Sequence, residues 1–218
     1  MKILFIGNSY TYFNDMPKML YTLAAENGEE LEVDSVTCGG RKLYENLNAG
    51  DKYNDQITEL LKNKSYDVLI LQEQSYFALI DPAEFERGVC ELASLVGAKR
   101  TILYATWGRK IGCDLLEKYS WSSEEMGEKL HAAYSLAAEK CGADLSPVGL
   151  CFNCINKESA LELYNPDLSH PSRLGTVVGV LCHYKKIFGA LPKSYSSLEL
   201  GPEQASVILE TVDKITKA

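Results

Sequence analysis

An α/β fold built on a five-stranded parallel sheet is the class this sequence predicts, on three observations. Ile3–Ile6 and Val68–Leu71 are continuous apolar runs rather than alternating ones, the pattern of strands buried on both faces. Strand-like runs alternate along the chain with segments of helical periodicity, which is the order of βαβ units. Small polar turns then follow the strands, among them Gly7-Asn8-Ser9, Cys38-Gly39-Gly40 and Gln72-Glu73-Gln74-Ser75. A parallel sheet offers its ligands the carboxyl ends of its strands, so these turns share one functional edge.

The first strand, within Lys2–Gly7, delivers Ser9 to that edge. Asn14-Asp15-Met16-Pro17 reads as a helix start, with Met19, Leu20, Leu23 and Ala24 as the buried stripe and Gly28 as the stop. Leu31–Thr37 alternates as a second strand and ends at Gly39-Gly40, where backbone N–H groups are free to approach a ligand. A looser helical region with Leu43, Leu47, Ile57, Leu60 and Leu61 precedes the third strand, Tyr66–Leu71. Asp81-Pro82-Ala83-Glu84 opens a helix with a cap and a first-turn proline, burying Leu92, Leu95 and Val96.

Arg100–Ala105 is the fourth strand. From Thr106 to Trp121 the chain lacks periodicity and carries Trp107, Arg109, Tyr119 and Trp121, so it reads as a lid or specificity wall. Ser122–Glu125 opens another capped helix, and Asp144–Val148 is a short fifth strand with Pro147 marking an edge. Tyr164–Gly175 is a polar, proline-punctuated loop. It leads into an apolar helix over about 176–188, with Pro171 expected in the first turn and His170 exposed before it.

Composition narrows the function classes. The 218 residues, 46% hydrophobic and 24% charged, suit one globular domain spanning 1–218. With 22 basic against 30 acidic residues the net charge is -8, which argues against nucleic-acid binding. Neither a signal-peptide pattern nor a membrane-length apolar run is present, so no membrane partner and a cytoplasmic location are expected. Seven cysteines, an odd number, read as reduced and mostly buried thiols. Cys151-x-x-Cys154 lies in a helical context without a second pair, which makes a metal site a poor reading there.

Among the three histidines, His131 and His183 fall within helical patterns and are expected at the surface or the core edge. His170 differs because Asp167 stands three residues before it in the same loop. A carboxylate so placed holds imidazole Nδ1–H and leaves Nε2 free to take a hydroxyl proton. Ser9, at the end of the first strand, supplies the hydroxyl.

These blocks, taken in order, resemble the SGNH hydrolase (GDSL-type esterase and lipase) superfamily over nearly the whole chain. Gly7-Asn8-Ser9 is similar to the Gly-Asp-Ser block, with Asn for Asp, and Asp167-Leu168-Ser169-His170 matches the Asp-x-x-His block outright. Gly40, less well Gly39, stands where the glycine block lends an N–H. The departure is the third block: Gln72-Glu73-Gln74-Ser75 replaces the usual Gly-x-Asn, and Gln74 rather than Gln72 is the preferred substitute donor.

The resemblance implies a three-layer α/β/α sandwich of flavodoxin-like order. It further implies a serine esterase in which Ser9 attacks an acyl ester of a small molecule or carbohydrate, acetyl esters among the candidates, His170 acts as base and Asp167 orients it. Ser9 N–H, Gly40 N–H and Gln74 would form the oxyanion hole, and no metal or cofactor is expected. Asn8, Tyr10, Trp107 and Arg109 are candidate substrate contacts, with Tyr119 and Trp121 as sugar-stacking rings and Arg41 as a second cation for a substrate carboxylate. An inactive small-ligand-binding module on the same fold is the alternative, which the altered third block permits. A nucleotide-binding enzyme ranks last, for lack of a Walker loop or a G-x-G-x-x-G turn.

Overall fold

The computed structural model describes residues 1–217. In chain order its main elements are β1 (Lys2–Gly7), α1 (Ser9–Tyr12), α2 (Met16–Glu26), β2 (Glu32–Thr37), α3 (Lys52–Asn63), β3 (Val68–Leu71) and α4 (Phe77–Ile80). There follow α5 (Pro82–Val96), β4 (Arg100–Tyr104), α6 (Asp114–Tyr119), α7 (Ser123–Cys141), β5 (Asp144–Ser146), α8 (Val148–Glu158), α9 (Arg173–Phe188) and α10 (Pro202–Ile215).

All pairings in the sheet are parallel, in the order β2-β1-β3-β4-β5. The chain steps from β1 outward to β2, then back across β1 to β3, so the direction of winding reverses at β1. Such a reversal opens a crevice at the strands' carboxyl ends. Alternation along β1 divides the core in two. Ile3 and Phe5 pack with α2, α8, α9 and α10, while Leu4 and Ile6 pack with α3, α5 and α7, giving the α/β/α sandwich. Helix α2 shows the local logic: Met16, Leu20, Leu23 and Ala24 recur at helical spacing and are fully buried, each large side chain contributing about 2 kcal/mol of burial.

Several expectations are corrected. Helix α9 begins at Arg173, capped by the Ser172 hydroxyl, which accepts the Gly175 N–H at 3.1 Å. Pro171 therefore lies outside the helix, in an antiparallel bridge to Tyr164. The stretch 106–121 contains α6 and is not all loop. His183 is neither at the surface nor at the core edge: it is fully buried, its ring edge-on to Phe5 and Tyr104. Neither ring nitrogen has a partner among the described residues, and burial drives its pKa down to about 3.

The cysteines are not all reduced. Cys90 of α5 and Cys141 at the end of α7 form a disulfide, because the packing of the two helices brings their Cα atoms to 5.1 Å. Cys151 and Cys182 remain buried thiols, 3.5 Å apart. Among the described residues, no helix is long and apolar enough to cross a membrane.

Candidate active site

The end of β1 is held open by what packs over it. A Cβ on Gly7 would stand 2.5 Å from Thr11 Oγ1 and 2.8 Å from Gln72 Oε1, so only glycine fits between the strand and this pair. Asn8 then caps α1, its Oδ1 accepting the Tyr10 N–H at 3.2 Å, while its Nδ2 donates to the Arg41 carbonyl at 3.0 Å. An aspartate would cap equally well but could not donate to that carbonyl. The Asn8 amide thus couples the serine turn to the glycine loop, and it is backbone rather than substrate that occupies both its polar atoms.

Ser9 opens α1, and His170 Nε2 lies 2.8 Å from its Oγ. On the far side of the ring, Nδ1 is 2.6 Å from Asp167 Oδ2. Asp167 Oδ1 accepts the N–H groups of Ser169 at 2.9 Å and His170 at 2.8 Å. The intervening Leu168 takes a left-handed conformation, φ +62°, which folds the carboxylate back over these donors. Burial works against the Asp167 charge, but the His170 and Ser169 N–H groups and the imidazole outweigh it and hold the carboxyl below its ordinary value. Phe13 stacks on the His170 ring at 4.1 Å and 10°, and Tyr10 meets it edge-on at 5.5 Å.

A pocket of about 290 Å³ opens on this chain of groups, lined by Asn8, Ser9, Tyr10, Gly40, Gln74, Ser75, Arg109, Asp167, Ser169 and His170. Gly40 enters it with φ +70°, a conformation that suits glycine, whereas Gly39 lies against the Tyr12 side and does not line it. The two glutamines separate. Gln72 is buried, its Oε1 accepting from Asn8 N and Thr11 Oγ1, both at 2.9 Å, and its Nε2 donating to the Glu73 carbonyl. Gln74 is half-buried on the pocket wall, and among the described residues its Nε2 has no acceptor.

Between them Glu73 points inward and is fully buried. Burial, opposed by the N–H groups of Gln74 and Leu43 that its carboxyl accepts, raises its pKa to about 8. The bond to Leu43 N ties the third loop to the segment following the glycine loop. Ser169 and Phe13 are not singled out by the sequence, and Glu73 and Ser75 only as members of the polar run after β3. For Phe13 a signal existed, since it stands four residues after Ser9 at the end of the same helical turn.

Other candidates lie elsewhere. Trp107 is not a substrate contact: it is fully buried, stacked between Tyr10 at 4.7 Å and Phe152 at 4.2 Å, with its Nε1 donating to the Ser169 carbonyl at 3.1 Å. Tyr10 is almost as buried but reaches the pocket, where its hydroxyl lies 2.7 Å from Ser169 Oγ. Burial raises its pKa, with the Arg109 charge the strongest influence against that rise. Tyr119 and Trp121 stack on one another at 4.6 Å and line no part of the pocket. Arg41 is paired with Asp51 and also bonded to Asn46 and Glu45, so it is committed within its own loop.

No family model matches the sequence, and no curated protein matches it either. Solved structures do. A DUF4886 family protein from Bacteroides uniformis superposes with a TM-score of 0.82 at 16% identity, covering 98% of this chain and 93% of its own. An acetyl xylan esterase from Geobacillus stearothermophilus superposes with a TM-score of 0.58 at 14% identity, over 88% of this chain and 97% of its own. At these identities the likeness shows the fold alone. A protein assigned as an SGNH hydrolase, from Slackia heliotrinireducens, is 33% identical, with a TM-score of 0.75 over 86% of this chain and 98% of its own. An identity of that size, sustained over nearly the whole of the relative, establishes that this chain belongs to the SGNH hydrolase family.

Proposed function

We propose that this hydrolase is a serine esterase that cleaves acyl esters of a small molecule or carbohydrate through Ser9, His170 and Asp167. The observation that carries the reading is the unbroken line from Asp167 Oδ2 through the His170 ring to Ser9 Oγ, with contacts of 2.6 and 2.8 Å, ending at the mouth of the pocket.

His170 Nε2 takes the Ser9 proton as Oγ attacks the ester carbonyl, and Asp167 stabilises the imidazolium that results. The developing oxyanion sits toward the N–H of Ser9, the N–H of Gly40 and the Gln74 amide. None of these three groups donates to a protein acceptor among the described residues, so all are available. His170 then protonates the leaving alcohol, and water, activated by the same nitrogen, releases the acid. A pocket of about 290 Å³ suits short acyl groups such as acetyl.

A fluorophosphonate probe with peptide mapping tests the reading, together with hydrolysis of p-nitrophenyl acetate. Labelling at Ser9 that is lost in Ser9→Ala and strongly reduced in His170→Ala is the expected result. Folded protein that neither labels nor turns over any short ester would overturn it in favour of a ligand-binding module.

A further inference from the structure

The protein has five arginines, and four of them are paired with carboxylates: Arg41 with Asp51, Arg87 with Glu84 and Glu91, Arg100 with Asp144, and Arg173 with Glu199. Arg109 is the exception. Among the described residues no carboxylate lies within 4.0 Å of its guanidinium, although it is half-buried and lines the same pocket as Ser9 and His170. Only Nη2 has a protein partner, the Ser75 hydroxyl at 2.8 Å. Its Nε is buried with none at all. A buried guanidinium N–H left unpaired costs stability, and a site tolerates it where a ligand supplies the acceptor.

The surroundings suit an anion. Ser75, Tyr10 and Ser169 place three hydroxyls on the pocket wall, with that of Ser75 directly on the guanidinium. Asp167, the acidic residue lining the pocket, already accepts from His170 and two backbone N–H groups. Asp114 lines only an adjoining pocket that shares Arg109, and it too lies beyond pairing distance. On a chain whose net charge is -8, a lone unpaired guanidinium at the nucleophile is a local reversal of sign.

We propose that Arg109, with the Ser75 hydroxyl, binds a carboxylate carried by the ester substrate, making this an esterase for anionic esters. The inference rests on the esterase reading of the same pocket. A planar fork of N–H donors matches a carboxylate in a way that a lysine ammonium does not, so Arg109 discriminates by geometry as well as by charge. It is a specificity residue; the chemistry at the carbonyl belongs to Ser9 and His170.

Two anionic esters tell on which side of the scissile bond the charge is read. p-Nitrophenyl hemisuccinate carries its carboxylate on the acyl group and 4-acetoxybenzoate on the alcohol, and each is compared with its methyl-capped neutral analogue. For one of the pairs, kcat/KM favours the anion by about 10- to 100-fold in the native protein, the range a charge-assisted hydrogen bond supplies. That ratio collapses toward one in Arg109→Gln and is intermediate in Arg109→Lys, which keeps the charge without the fork. Calorimetric titration of 4-acetoxybenzoate and of succinate into Ser9→Ala reads binding without turnover. At least one of the two binds, and its affinity falls about tenfold or more when Arg109→Gln is added.

Ser9-dependent hydrolysis of both members of each pair at equal rates overturns anion recognition while leaving the esterase reading intact. Arg109-dependent binding of a carboxylate to a protein that hydrolyses nothing supports the anion site and overturns the esterase. Neither binding nor turnover overturns both.

Discussion

Two carboxyl groups flank the pocket, and they have been put to opposite uses. Asp167 and Glu73 each accept two backbone N–H groups from their own or a neighbouring loop. Asp167 has its side chain 47% exposed and an imidazole against its second oxygen, and its carboxyl stays ionised below the usual range. Glu73 is wholly buried, and its carboxyl holds a proton to about pH 8. Equal hydrogen bonding therefore does not decide the charge state; exposure to water and the imidazole on the second oxygen do. The exposed carboxylate can orient a base, whereas the buried acid fastens loops together.

Substitutions separate the orienting carboxylate from the fastening one. On the esterase reading Ser9→Ala abolishes turnover, and Asp167→Asn, which keeps the shape and removes the charge, lowers kcat by about 10³- to 10⁴-fold. A loss below tenfold in steady-state assays of Asp167→Asn would remove it from the machinery. Gln74→Ala comes next, with a fall in kcat of about 10²-fold for one lost oxyanion donor and little change in KM. Should Gln72→Ala give the larger kinetic loss with an unchanged melting temperature, the donor has been assigned to the wrong glutamine.

Glu73 acts on stability. Glu73→Ala strands the N–H groups of Leu43 and Gln74 and costs about 1–3 kcal/mol for each in denaturant unfolding. Glu73→Gln retains the acceptor oxygen and is milder. The folded pKa of Glu73 lies above its unfolded value of 4.5, so its contribution is full below about pH 4.5 and is lost as pH rises through about 8. Native protein accordingly loses up to about 1.4 kcal/mol per pH unit from this group in that window, and Glu73→Gln flattens the alkaline arm of the stability profile. His183 has the reverse sign. Its folded pKa of about 3 is depressed, so the stability it contributes is present above about 6.5 and is lost as pH falls toward 3. Unfolding midpoints measured from pH 4 to 9 separate the two arms.

The sheet and the functional edge were legible because they depend on local signals. Continuous apolar runs marked the inner strands, and Ser9, Gly40, Gln74 and Asp167-x-x-His170 each follow a strand or precede a helix. What the sequence withheld depends on packing between distant segments. Trp107 looked available beyond β4, yet α7 and α8 close over that exit: a Cβ on Gly108 would stand 2.0 Å from the Ser123 carbonyl, and one on Gly149 2.1 Å from that of Thr106. Glu73 sits in a polar run whose first two members turn into the core and whose last two line the cleft, and nothing local says which way each one turns. The disulfide needed the approach of α5 and α7, and the burial of His183 needed both Phe5 and Tyr104. Helix α10 was not anticipated at all, although its buried residues, Ala205, Ile208, Thr211 and Val212, keep helical spacing.

The ring stacked on His170 bears on timing. In an acyl-transfer cycle one nitrogen must collect a proton from the serine and give it to the departing alcohol before that proton escapes elsewhere. Turning the imidazole about its side-chain bond would sweep it through the plane that Phe13 occupies at 4.1 Å, while Asp167 holds the opposite nitrogen. With rotation blocked, proton delivery is confined to the single direction in which Ser9 and the leaving group both lie. Phe13→Ala should therefore show itself as slower acylation of esters with poorly acidic alcohols, and barely at all with p-nitrophenyl esters, whose leaving group needs no proton.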